Sequence, residues 1–317
     1  MRVLDASAVE ALEIAPLVEQ LRQVFRAGAT VPLRHHHTVP VAGGDDATLL
    51  LMPAWQQGRY LGTKIVTVFP SNNARGLPSV AGTYVLMSGH TGEPLIVIDG
   101  RMLTLRRTAA ASALAARYLA RQDAHRLLMI GTGALAPHLI LAHATVRPIK
   151  EVAIWGRTPE KAERLARTLS NRYLKVAAAK DLASAVTAAD VISCATLAHE
   201  PLIRGEWLKP GQHVDLVGGF TPEMREADDE AIDRARVYID TPAAMEEAGD
   251  IVQPLKSGVL IDKAIAGDLA ELTQGRCHGR SFYNQITLFK SVGTGLEDLA
   301  AAILLFESSR EEIRTLR

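Results

Sequence analysis

The stretch that most constrains this chain is Gly131-Thr132-Gly133-Ala134-Leu135-Ala136, set between two short apolar runs at 127–130 and 152–155. The order reads strand, glycine turn, helix, strand. Gly131 permits the tight turn, Gly133 lets the backbone approach a pyrophosphate, and Ala136 keeps the helix close to the sheet, with phosphate charge stabilised at the helix N-terminus. A GxGxxA in this context predicts a dinucleotide site. Its turn contacts are Gly131, Thr132, Gly133, Ala134 and Leu135.

The second run ends in Gly156-Arg157-Thr158. An acidic residue there would accept hydrogen bonds from the ribose hydroxyls, whereas Arg157 can pair with a 2′-phosphate. The expected cofactor is therefore NADPH, with NADH also accepted. Thr158 adds a hydroxyl and Lys161 a further charge. Strand-like runs follow at 176–178, 191–195, 214–217 and 237–240, mostly separated by helical stretches, which predicts a doubly wound parallel sheet. Ligands bind at the carboxyl ends of such strands. The loops Cys194-Ala195-Thr196, Val217-Gly218-Gly219 and Ser291-Val292-Gly293 are accordingly aimed at ribose and nicotinamide.

The region before the glycine turn is patterned differently. Residues 16–27 place Leu17, Leu21, Val24 and Phe25 at helical spacing, with Gly28 as cap. Short β-rich runs then occupy 31–41, 48–52, 61–69 and 81–87, and SGHTGEP joins the last to another apolar run in a hairpin-like turn. An alanine-rich helix is predicted over 103–120 with Arg106 and Arg107 in its first turn. Fixed positive charge and unpaired N–H groups suit a small carboxylate, and spacing does not choose between the two arginines. Consecutive strand residues point to opposite faces, so His35, His36 and His37 do not converge on one metal ion. Residues 296–304 give one apolar helical face, and the following SSREEIRTLR is expected to be exposed.

A chain of 317 residues suggests two domains with their own cores. Lys plus Arg and Asp plus Glu are 35 each, so no net field favours nucleic acid or an anionic membrane. The expected partner is small. Cys194 and Cys277 make no disulfide framework and no zinc spacing, and are expected to be packed thiols. No signal-peptide pattern or membrane-length apolar run is seen, giving a cytoplasmic expectation.

Taken together, GTKIVTVFPSN (62–72), GLPSVAGTYVL (76–86), LTLRRTAAASALAARYLAR (103–121), IGTGALA (130–136) and SVGTGLEDLAAA (291–302) resemble the ornithine cyclodeaminase/mu-crystallin family. The resemblance implies a homodimer. It also implies an α+β substrate-binding and dimerisation domain, 1–121 completed by the helix 296–317, around a Rossmann domain at 122–295. Lys64, Arg107 and Arg34 match the family's contacts to the substrate carboxylate, and Lys64 could also donate a proton if burial and Arg107 lower its pKa. The family includes ornithine cyclodeaminases, alanine dehydrogenases and ketimine reductases acting on Δ1-pyrroline-2-carboxylate or Δ1-piperideine-2-carboxylate. Where the first two hold an aspartate, this chain has Phe220, which cannot take a proton but could pack against a substrate ring. The implied reaction is NADPH-dependent reduction of a cyclic imino acid to L-proline or L-pipecolate. Its rivals are an NAD-dependent ornithine cyclodeaminase, an alanine-type dehydrogenase and a non-catalytic NADPH-dependent small-ligand binder.

Overall fold

The computed structural model describes residues 1–315, and the side chains of all of these except 73 and 310–315. Two compact units are formed, Met1–Thr108 with the stretch from Thr294, and Ala109–Gly293. The division falls inside a helix, ahead of the expected boundary at 121, because that helix runs unbroken over Gly100–Leu119.

In the first unit β1 (Arg2–Leu4), β2 (His35–Val39), β3 (Ala47–Gln56), β4 (Tyr60–Val68), β5 (Val80–Ser88) and β6 (Pro94–Asp99) form one sheet in the order β1-β6-β5-β4-β3-β2. Its pairs are antiparallel except β1 with β6. Strand alternation buries Met52, Ala54, Lys64, Tyr84, Leu86, Ile96 and Ile98, on the face covered by the helix Gly295–Thr315. Pro53 sits inside β3 without breaking the sheet, since β2 pairs only as far as Leu51 and the next bridge on that edge is Thr30 with Trp55, which leaves Pro53 between them.

The helix Ile14–Ala27 buries the four expected apolar residues together with Ile14 and Val18, and ends at Gly28 with φ 79°. The C-terminal helix is more enveloped than one apolar face required: Leu299, Ala300, Ala301, Ala302 and Ile303 are all buried. Its neighbours on different sides, the sheet and the Ile14–Ala27 helix, account for this. Of the tail expected to be exposed, Ser308 and Ser309 are half-buried, with Ser309 accepting a hydrogen bond from Arg2; the side chains beyond lie outside the described residues.

The helix carrying the two arginines starts earlier than expected. Asp99 accepts from the Met102 N–H at 2.7 Å and sets the first turn at Gly100. Arg106 and Arg107 therefore lie about two turns inside the helix, so the proposed help from its free N–H groups is withdrawn.

The second unit is an eight-stranded parallel sheet. β7 (Arg126–Ile130), β8 (Glu151–Trp155), β9 (Lys175–Ala178), β10 (Val191–Cys194), β11 (His213–Leu216), β12 (Arg236–Ile239), β13 (Ile265–Asp268) and β14 (Thr287–Lys290) are ordered β13-β12-β14-β11-β10-β7-β8-β9. Succession runs one way from β7 to β9 and the other way from β10, so the crevice between β7 and β10 is the switch point where such sheets bind ligands. Leu128, Ile130, Ile192, Val214, Leu216 and Leu288 form its core. β13 and β14 escaped the sequence pattern because each offers only two consecutive apolar residues, Ile265-Ala266 and Leu288-Phe289, before GD and Lys290 end them.

Candidate functional site

The β7 strand delivers Gly131 to the switch point with φ 117°, and a Cβ there would lie 2.5 Å from the Ala195 carbonyl oxygen. Only glycine suits both the backbone angle and that approach. Two residues on, Gly133 is exposed, and an added Cβ would meet nothing within 4 Å. Ala136 is buried and opens the helix Ala136–Val146. Open space thus faces a helix N-terminus, as a pyrophosphate requires. Leu135 immediately precedes that helix and Ala134 is exposed in the turn.

Here a cavity of about 540 Å³ is lined by Gly131, Thr132, Gly133, Arg157, Thr158 and Lys161, together with the segment following β10 that contains Ala195 and Thr196. Thr158 precedes the helix Pro159–Leu169 without a side-chain cap bond. Cavity, open glycine and two basic side chains fit a dinucleotide with negative charge at its ribose.

Five expected cofactor residues are placed otherwise. Cys194 is fully buried in the apolar core, where burial and then Glu226 push its thiol well up; a strand residue so placed cannot wall the cavity. Val217, Gly218, Ser291 and Gly293 are also absent from its lining. Val217 and Ser291 are buried, Gly218 donates its N–H to Glu226 at 2.8 Å, and Gly293 donates to Asp240 at 2.6 Å. These strand ends brace one another, which uses the N–H groups of Gly218 and Gly293.

The expected carboxylate contacts lie in the first unit. Lys64 Nζ is 2.7 Å from Asp298, while Arg107 reaches Asp298 at 3.0 Å through Nε and Glu297 at 2.6 Å through Nη1. All four are buried. Burial pushes the Lys64 pKa down, with Asp298 opposing it. Burial also works against the Arg107 charge, but Asp298 and then Glu297 outweigh it and raise its pKa. The fully buried Asp298 carboxyl is lowered, since Lys64 and Arg107 overcome desolvation. Arg106 instead donates to the Leu12 carbonyl, a contact with backbone that leaves Arg107 as the charged member of the cluster. Arg34 is half-buried just ahead of β2.

Tyr84, opposite Lys64 in the β4–β5 register, is fully buried, and a Cβ on Gly62 would fall 2.0 Å from its phenol oxygen. The glycine of GTK is therefore dictated by the tyrosine. Sequence reasoning missed Tyr84, Glu297 and Asp298. The signal was two acids at the start of an otherwise apolar helix, within the quoted SVGTGLEDLAAA. Phe220 lies after β11 and is 53% exposed.

The profile of the ornithine cyclodeaminase/mu-crystallin family matches residues 3–312. Among curated relatives, the Arabidopsis thaliana protein SAR DEFICIENT 4 is 44% identical, covering 88% of this chain and 87% of its own. The Δ1-pyrroline-2-carboxylate reductase of Paracoccus denitrificans is 37% identical, covering 86% and 90%. Among solved structures, Thermococcus litoralis Δ1-pyrroline-2-carboxylate reductase in complex with NADH and L-proline superposes with a TM-score of 0.90 at 32% identity, covering 98% of each chain.

Proposed function

The chain belongs to the ornithine cyclodeaminase/mu-crystallin family, and from that premise we propose that it reduces a cyclic imino acid, Δ1-pyrroline-2-carboxylate, to L-proline with a nicotinamide cofactor. The observation that carries this is the likeness, over nearly the full chain, to relatives named for that reaction and to a structure holding NADH and L-proline. Δ1-Piperideine-2-carboxylate, one methylene larger, is the alternative ring.

The nucleotide belongs in the switch-point cavity, held by Gly131, Thr132, Gly133, Arg157 and Thr158, together with Ala195 and Thr196. When bound, its nicotinamide supplies hydride to the imine carbon beside the carboxylate. Arg157 and Lys161 favour NADPH, and NADH is also used. Arg107, Lys64 and Arg34 hold the substrate carboxylate. Two cations face two carboxylates in the Lys64–Arg107 cluster, so it suits a protonated imine carboxylate, which is itself a zwitterion. A neutral pair of opposite charges enters such a site at less electrostatic cost than a lone anion. The chain then supplies orientation and fixed charge rather than bond-making groups. Where the substrate arrives as the neutral imine instead, Lys64, its pKa lowered by burial, is the candidate donor of the proton that makes the iminium. Phe220 offers an apolar surface and no proton acceptor, which favours imine reduction over amine elimination.

The homodimer is proposed from the open face of the first sheet. Cross-strand register aligns Leu51 with Ile65, Leu61 with Met87, Val85 with Val97, and Val97 with Val3. Ile65 is 37% and Val3 74% exposed. Such an apolar surface suits a second copy, and sedimentation at the mass of one chain would remove this part of the reading. No helix of the described residues is long and apolar enough to cross a membrane, and a cytoplasmic location goes with the proposal.

The direct test adds Δ1-pyrroline-2-carboxylate to protein and NADPH and follows cofactor absorbance and L-proline. Stoichiometric oxidation with proline formation is expected. No oxidation by protein shown to bind NADPH, or ammonia release from ornithine with catalytic NAD, would overturn the assignment.

A further inference from the structure

Beneath the loops at the switch point lies a fully buried trio, Glu226, Asp250 and Lys290. Asp250 is 3.0 Å from Lys290 Nζ through one oxygen, and through the other accepts the N–H groups of Glu226 at 2.7 Å and Ala227 at 3.0 Å. Glu226 is thus fixed through its own backbone. Its carboxylate reaches two different strand ends. One oxygen accepts the Thr196 N–H at 2.7 Å and hydroxyl at 2.9 Å; the other accepts the Gly218 N–H at 2.8 Å and lies 3.8 Å from Lys290. The loops it joins are in backbone contact, since a Cβ on Gly218 would fall 1.9 Å from the Thr196 carbonyl oxygen. Every partner of the carboxylate is a donor.

We propose that Glu226 is a positioning residue for the reaction, one carboxylate that sets the Thr196 wall of the nucleotide cavity and the root of the Phe220 loop together. Glutamine cannot replace it, because the amide NH2 would face a backbone N–H. This rests on a nicotinamide nucleotide occupying the cavity. Binding of NADPH by the unaltered protein tests that reading separately.

The experiment measures NADPH Kd by fluorescence, and kcat with Δ1-pyrroline-2-carboxylate, for Glu226→Gln, Thr196→Val and the double variant. Hydrogen bonds to a charged group are worth enough that Glu226→Gln should raise Kd roughly 10-fold or more and also lower kcat, through the Phe220 loop. Glu226→Gln leaves Lys290 paired with Asp250, so the fold should persist. If Glu226 acts through Thr196, the double variant should lose much less NADPH affinity than the product of the two single losses. A structural role alone would lower thermal stability without that coupling. Wild-type Kd and kcat in folded Glu226→Gln, or independent multiplicative losses, would overturn the proposal. Should Glu226→Gln not fold, Thr196→Val carries the test: a several-fold rise in Kd is expected, and an unchanged value overturns it.

Discussion

At the scale of single residues, charge decides most of what this chain can bind. Arg157 lines the cavity beside Thr158 and Lys161, and a guanidinium–phosphate contact contributes on the order of 1.5–3 kcal/mol. Replacing Arg157 with Asp should move the NADPH-to-NADH ratio of kcat/KM toward NADH by at least ~10-fold, and an unchanged ratio would take Arg157 away from the 2′-phosphate. Its place beside the cavity was legible in the sequence because it follows the end of β8 by two residues, where a strand of this kind of sheet delivers the chain to the ligand crevice. Lys64 and Arg107 were legible only as cations. Their counter-ions, Glu297 and Asp298, lie about 190 residues from Arg107 and farther still from Lys64 in sequence, and charge pairing across such separations leaves no local pattern to read. Cys194 shows the opposite limit: the strand was identified, but that burial takes in all of it, Cys194 included, was not.

Among elements, the β7 strand, its turn and the following helix were readable because an unbroken apolar run, the paired glycines and the order strand, turn, helix, strand agreed. Local choices that agree across levels specify structure strongly. The turn also makes a sharp prediction. Gly131→Ala would impose a side chain at φ 117° and place its Cβ 2.5 Å from backbone at Ala195. NADPH affinity should fall by more than ~10-fold with the sheet intact by circular dichroism; wild-type affinity would show that the crevice tolerates the extra carbon. The Gly100–Leu119 helix was located, but its start was not. Alanine propensity marks the interior of a helix, whereas the beginning here depends on the Asp99 cap and on Gly100, whose Cβ would meet the backbone of Gly82 at 2.5 Å. Contacts between distant segments set that boundary.

For the molecule as a whole, stability should carry a pH signature from the buried interior of the second unit. His213 is fully buried with Nδ1 3.0 Å from the Thr287 hydroxyl, and desolvation, with Asp215 opposing it, pushes its pKa down from 6.5 to about 3. The unfolded chain therefore binds a proton that the folded chain refuses. The stabilising contribution is complete above pH ~6.5 and is lost progressively as pH falls toward 3. Between pH 7 and 5 the loss should be on the order of 2 kcal/mol, visible as a lower urea midpoint and diminished in His213→Gln. A midpoint flat over that range would contradict the buried, neutral imidazole. The presence of two folded units was legible from length and from the change of patterning near residue 120; the point of division was not, since one continuous helix crosses it.

The Glu226 carboxylate also bears on how such a protein can change its trade. By accepting the Gly218 N–H, it closes the stretch between them into a loop whose exposed Phe220 hangs from a fixed clasp. Lengthening that stretch would strain the clasp, whereas exchanging the side chain at its tip would leave both ends in place. Diversification at this position should therefore proceed by substitution at constant loop length, with the sheet serving as an unchanged chassis for a different chemistry.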